Sequence, residues 1–187
     1  GNAATALSTV LQQPINMHVP SVEIVSFEEM FALAGGPEKV VAGVYLRIHG
    51  DITGTMFFVL PLESANRYIQ NLMNDPTYTL TNKENDKIGQ SALQELGNIL
   101  SGSYLSSLSD FTQLNIQPTV PSLNIDMVGA IISFGLVEVS HYSDEVIVIN
   151  TQIEQPSEQG ASQYVGHFFL LPDPPSYQTI FQSLGVM

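Results

Sequence analysis

The apolar and polar positions of this chain form two copies of one pattern. Residues 1–22, GNAATALSTVLQQPINMHVPSV, align without a gap with residues 102–123, GSYLSSLSDFTQLNIQPTVPSL, at an offset of 101. Eight of the 22 pairs are identical, among them Leu7 with Leu108, Ile15 with Ile116 and Pro20 with Pro121, where average residue usage gives roughly one or two. In each copy a helix-period stretch runs into a strand that ends near the proline. A short helix follows, over SFEEMFALAG (26–35) and MVGAIISFGLVEV (127–139). Paired apolar runs then predict a β-hairpin: VVAGVYLRIHG with TMFFVLP, and EVIVINTQIE with YVGHFFLLP. The segment FFVLP (57–61) matches FFLLP (168–172) at an offset of 111, which puts ten extra residues in the second hairpin loop, around 154–162. A surface loop is where added length costs least. A helix-like segment closes each copy, over 63–73 and 175–185.

One copy alone cannot cover both its sheet and its helices. Joined about a pseudo-twofold axis, the two can share a core. The expected fold is therefore α/β (α+β): a tandem repeat sharing one mainly antiparallel sheet, with two long helices packed against it. The predicted organisation is a single domain over 1–187, with repeat one at 1–73, a polar linker at 74–89 and repeat two at 90–187. The second long helix is predicted over about 89–113.

Composition narrows the chemistry. Hydrophobic residues make up 44% of the chain and charged residues 12%, which suits a globular domain with a real core. The formal charge is −13, with only five Lys plus Arg, so nucleic acid and anionic membrane are poor partners. A basic protein surface matches that charge better, or the acid serves only solubility. No cysteine is present, which excludes thiolate catalysis, disulfides and zinc–thiolate sites. The four histidines, His18, His49, His141 and His167, show no helical metal-ligand spacing, so no metal or cofactor of the chain's own is expected. No apolar run is long enough to span a bilayer and no secretory signal is visible, so a cytoplasmic location is expected.

The candidate site lies early in the second long helix. Ser91, Glu95 and Asn98 fall at i, i+4 and i+7 and share one face, while Leu93, Leu96, Leu100 and Tyr104 occupy the core-seeking side. Such a polar stripe is usually plain solvated surface. Asn and Gly, however, are poor mid-helix residues, each costing up to about 1 kcal/mol relative to Ala. Asn98, Gly97 and Gly102 therefore suggest a purpose other than helix stability. The two glycines beside the stripe would let another surface approach the helix closely.

Ser91, Glu95 and Asn98, followed after 22 residues by Pro121, match the pattern Ser/Asp-x3-Glu-x2-Asn-x22-Pro. With the surrounding SALQELGNILSGSYLSSLSD, this resembles the active-site signature of the CheC family of chemotaxis phosphatases, whose relatives include CheX and FliY. The opening 27 residues resemble the tail of that family's first signature helix and the strand after it. Two repeats favour CheC over the single-signature CheX. By the offset of 101, a first Glu and Asn would fall seven and four residues before Gly1, so that copy keeps only its proline, Pro20. The opening on a helical pattern without a cap suggests residues missing upstream.

The resemblance implies dephosphorylation of the aspartyl phosphate of the response regulator CheY. In that family Mg2+ and a lysine are supplied by CheY. Asn98 would orient the attacking water and Glu95 would pair with the CheY lysine. Ser91 would be a peripheral contact, and Pro121 would shape the following strand. The family also binds the deamidase CheD. Asp126, a lone carboxylate in NIDMVGAII, is the candidate for that contact, or it simply N-caps the short helix beginning near Met127. The chain is expected to be a monomer. The competing reading is a non-enzymatic CheY-binding scaffold related to flagellar switch proteins. A small-molecule hydrolase is disfavoured, because no GxSxG motif, Cys or His-rich motif is present.

Overall fold

The computed structural model describes residues 5, 8–9, 16–18, 21–80, 86–156, 163–183 and 185. Most of the first long helix, and Pro20, lie outside these residues. The described strands are β1 (Asn16–Met17), β2 (Ser21–Ser26), β3 (Val40–Gly50), β4 (Gly54–Pro61), β5 (Ile116–Pro118), β6 (Ser122–Met127), β7 (Glu145–Gln155) and β8 (Gln163–Pro172). The α-helices are α1 (Phe27–Leu33), α2 (Leu62–Met73), α3 (Lys87–Thr112), α4 (Val128–Ser140) and α5 (Tyr177–Ser183). One 8-stranded sheet runs in the order β1-β7-β8-β4-β3-β5, with β2 also on β7 and β6 also on β3. Every described pairing is antiparallel.

Strand exchange joins the halves. The strands that open each copy do not pair with their own hairpin. β1 and β2 add to β7 of the second copy, and β5 and β6 add to β3 of the first. At the centre, β4 pairs with β8.

Helices cover both faces of the sheet, which explains why β4 reads as an unbroken apolar run and not as an alternation. Seven of its eight residues are buried. Phe58, Phe168, Leu60, Leu170, Val44 and Ile48 point to the face carrying α2, α3 and α5. Phe57, Phe169, Val59, Leu171 and Val41 point to the face carrying α1 and α4. Fully burying each such side chain contributes about 1.5–3 kcal/mol. Phe168 stacks on Phe58 at 4.8 Å and on Tyr104 of α3 at 5.0 Å. The buried Tyr104 hydroxyl is satisfied by Thr151 Oγ1 on β7, 3.1 Å away.

The two-fold relation differs by one residue from the FFxLP alignment. A Cβ on Gly54 would strike Leu171 and Pro172, and a Cβ on Gly166 would strike the Val59 carbonyl and touch Leu60. These contacts are equivalent only if Gly54 corresponds to Gly166 and Phe57 to Phe169, which face each other across the axis. The FFxLP alignment instead equates Phe57 with Phe168, which lie on opposite faces of the sheet. A one-residue slip inverts every side chain of a strand, so the faces decide the register. The extra length is also shared out, because α4 has 13 residues where α1 has 7.

Helix α3 sits close to the sheet at Gly97. A Cβ there would lie 2.5 Å from Val44 Cγ1. Gly97 is buried, so the surface it admits is the protein's own β3 and not an incoming partner. Gly102 is exposed, with open space beside it. Gly97→Ala is expected to destabilise the fold by about 1–3 kcal/mol through overpacking. In a Val44→Ala background the penalty should shrink, as chemical denaturation of the four proteins would show.

His167 on β8 is buried, stacks on Phe169 at 5.0 Å and contacts Asn150 Oδ1 at 3.0 Å. Burial, reinforced by the Lys39 charge, pushes its imidazole down to about 4. An unfolded histidine titrates near 6.5, so the unfolded chain binds more protons between those values. The contribution is complete above about pH 6.5 and is lost as pH falls towards about 4, on the order of 3 kcal/mol in all. His167→Gln should flatten that part of the stability–pH profile, measured by urea unfolding across the window.

Candidate functional site

Helix α3 carries the predicted stripe where the sequence places it. Its apolar side, Leu93, Leu96, Leu100, Tyr104 and Leu105, is sealed into the core. That contact orients the opposite side, and Ser91, Glu95 and Asn98 are all exposed. The helix begins at Lys87, after Asp86, whose carboxylate accepts a hydrogen bond from the Tyr78 hydroxyl at 2.6 Å. Asp86 thereby ties the loop before α3 to its first turn.

The stripe does not face open solvent alone. Ser91, Gln94, Glu95 and Asn98 form one wall of an open groove of about 480 Å³, and Pro118, Thr119, Val120 and Pro121 form the other. The structure therefore brings Ser91, Glu95, Asn98 and Pro121 together, although Pro121 lies 23 positions beyond Asn98. Pro121 is itself buried, while Val120 beside it is 83% exposed. Pro20, its counterpart in the first copy, lies outside the described residues.

Glu95 is the sole charged residue lining the groove among the described residues. Burial raises the Tyr68 phenol above its ordinary value, and the Glu95 charge raises it further. Neither the Glu95 carboxylate nor the Asn98 amide forms a hydrogen bond or ion pair with another described residue. An amide offers both a donor and an acceptor, and a carboxylate offers acceptors only. The groove thus presents two unspent polar groups, one negative and one neutral, on neighbouring turns of a rigid helix.

Two residues outside the predicted set hold the far wall. Gln94 Nε2 donates to the Pro121 carbonyl at 2.8 Å. Thr119 N–H donates to the Arg47 carbonyl at 2.8 Å, and Arg47 N–H donates to Thr119 Oγ1 at 3.0 Å. Arg47 is in turn fixed by its fork on Asp173. Burial pushes the Asp173 carboxyl up, but hydrogen bonds from Arg47 and Thr53 outweigh this and hold it below the usual value. In the sequence, Gln94 is flagged only by belonging to the same helical face as Glu95 and Asn98.

Asp126 is exposed at the end of β6, paired in register with Val41. It does not cap α4. The N-cap position is Met127, and the Val128 and Gly129 N–H groups are taken by the Lys39 and Pro37 carbonyls, each at 2.8 Å. The Asp126 carboxylate accepts from the adjacent Met127 N–H at 2.7 Å. Among the described residues, no group of three or more His, Asp or Glu side chains could hold a metal ion, and no helix is long and apolar enough to cross a membrane.

Comparison with known proteins yields concordant matches. The sequence model of the CheC-like family matches residues 88–125, the segment that contains the groove. The CheY-P phosphatase CheC of Bacillus subtilis is 40% identical over 185 residues, spanning 99% of this chain and 88% of that protein. Among solved structures, Thermotoga maritima FliY superposes with a TM-score of 0.68 at 19% identity, covering 100% of this chain and 89% of FliY. CheX in the CheX–CheY–BeF3–Mg complex of Borrelia burgdorferi gives 0.58 at 14% identity, covering 91% and 92%.

A polar residue kept in a helix without an internal partner opposes stability. Asn98→Ala is therefore expected to stabilise the protein by a few tenths of a kcal/mol, from helix propensity alone. Thermal or urea unfolding beside the parent protein measures this.

Proposed function

The chain belongs to the CheC-like family, and from that premise we propose that it is a phosphatase of chemotaxis acting on phosphorylated CheY. The observation that carries this reading is the groove in which the exposed Glu95 and Asn98 stand together without hydrogen-bond partners among the described residues. It lies within the segment matched by the family, in a chain 40% identical to a CheY-P phosphatase.

The reaction is hydrolysis of an acyl phosphate on the partner. A water oxygen attacks phosphorus and the bond to the aspartyl oxygen breaks. Inorganic phosphate departs and the partner's carboxylate is regenerated. In this reading Mg2+ and a lysine belong to the partner's own site. The task left to this chain is positioning, which governs much of phosphoryl-transfer catalysis. The Asn98 amide holds the attacking water through its carbonyl and amino groups, in line with the leaving oxygen. Glu95, one turn away, takes the partner's lysine in a charge-assisted hydrogen bond and so aligns the two surfaces. Ser91 touches the partner at the groove's edge. Pro121 supports the opposite wall and takes no part in the chemistry.

Asp126 is proposed as part of a second contact surface, for CheD. Its support is exposure on an edge strand, next to Met127 and leading into α4, whose Phe134 and Val137 are more than half exposed (53% and 55%). Large apolar side chains displayed beside a carboxylate suit a protein partner. Asp126→Ala should weaken CheD binding and leave hydrolysis of phosphorylated CheY unchanged.

The deciding experiment follows decay of phosphorylated CheY with catalytic amounts of this protein. Asn98→Ala is expected to lower kcat by about 100-fold or more with KM within about threefold, and Glu95→Ala to raise KM and lower kcat together. Full activity in Asn98→Ala would remove the basis of the assignment. Binding of CheY without hydrolysis by the parent protein would indicate a scaffold instead.

A further inference from the structure

The link between β5 and β6, residues 119–121, stands opposite the polar stripe, held at both ends and bare in the middle. At one end, Thr119 exchanges two hydrogen bonds with the backbone of Arg47 on β3, at 2.8 and 3.0 Å. At the other end, the Pro121 carbonyl receives the Gln94 amide at 2.8 Å. Between them Val120 is 83% exposed, the most exposed large apolar residue among those described. An exposed valine on a loop would ordinarily be unremarkable. Here it belongs to the lining of the same groove as Glu95 and Asn98, on a link whose two ends are hydrogen-bonded.

Gln94 contributes to both walls. It stands three residues after Ser91 and four before Asn98, so its Cα belongs to the stripe. Its side chain leaves the helix to reach the opposite link. Gln94 is itself exposed, while Pro121, whose carbonyl it holds, is buried. What the bond sets is the separation of the walls, and with it the placing of Val120 relative to Asn98.

We infer that Gln94 is a positioning residue which, by holding the Pro121 carbonyl, presents Val120 as an apolar docking contact for the protein that brings its phosphorylated aspartate into the groove. The inference rests on the functional reading above and adds to it the surface that recognises the partner outside the phosphate. It divides the labour of the site. Asn98 and Glu95 act at the reacting centre, and the Val120 segment supplies binding that is the same in the ground and transition states. Loss of such uniform binding raises KM and spares kcat. A segment already hydrogen-bonded at both ends also saves the ordering cost that a loose loop would add on association.

The test uses the full chain with two measurements: steady-state hydrolysis of phosphorylated CheY, and affinity for CheY activated by BeF3 and Mg2+. Gln94→Ala and Val120→Ser are each expected to raise KM and the dissociation constant by about 5-fold, with kcat within about twofold. Gln94→Lys keeps a donor long enough to reach the carbonyl and should recover most of the lost affinity. Val120 is exposed, so the unfolding midpoint of Val120→Ser should stay at the parent value. Unchanged KM and affinity in both Gln94→Ala and Val120→Ser, beside an active parent protein, would overturn this inference and leave the function standing. A fall in kcat with KM unchanged would overturn it too, since Gln94 would then act on the chemistry. A parent protein that neither hydrolyses nor binds overturns both.

Discussion

Strands β4 and β8 meet antiparallel at the middle of the sheet, and the two halves of the chain are related by an axis through that pairing. Phe57 and Phe169 face each other across it on one side of the sheet, and Phe58 and Phe168 stack on the other. Tyr104 stacks on Phe168, so the central pair also holds the middle of α3. The outer strands then cross over, each adding to the hairpin of the other half. The site depends on this exchange. Its helix and its β5–β6 link both belong to the second copy, but the link is fastened to Arg47 of the first.

Two demands compete along α3. The face that meets the sheet is selected for fit, down to the missing side chain at Gly97, which leaves room for Val44. The opposite face is not selected for stability. Asn98 is a poor helix former with no hydrogen-bond partner among the described residues, and Glu95 brings a charge near the buried Tyr68 phenol. The first face makes the second affordable. A helix held firmly against the sheet tolerates an unhelpful residue, and it fixes where that residue points.

Much of this was legible in the sequence, and for identifiable reasons. The repeat, the long helix and the polar face of Ser91, Glu95 and Asn98 follow from periodicity, a local property. The pairing of that face with Pro121 was carried by family resemblance, and the structure brings those residues into one groove. Long-range contacts were not legible. Identity between two FFxLP segments suggested a register that the faces of the sheet exclude, since local similarity carries no information about which side a strand turns to the core. Gly97 suggested that another surface approaches the helix closely, without saying which; that surface is Val44 of β3. Asp126 suggested a helix cap, but the loop carbonyls of Pro37 and Lys39 already occupy the N-terminus of α4. Gln94 escaped notice because its partner is the backbone of Pro121, 27 residues away.

The crossing of the outer strands bears on how such a chain could arise and how it comes apart. A single half would display β3 or β7 with one edge unpaired, and the strands meant to cover it would be its own, facing the wrong hairpin. Such a half could complete its sheet only by meeting a second copy, each lending its first strands to the other. Fusing the two into one polypeptide turns that mutual loan into an internal contact at high effective concentration. It also frees the halves to diverge, so that one groove can be shaped for its partner without the other having to follow.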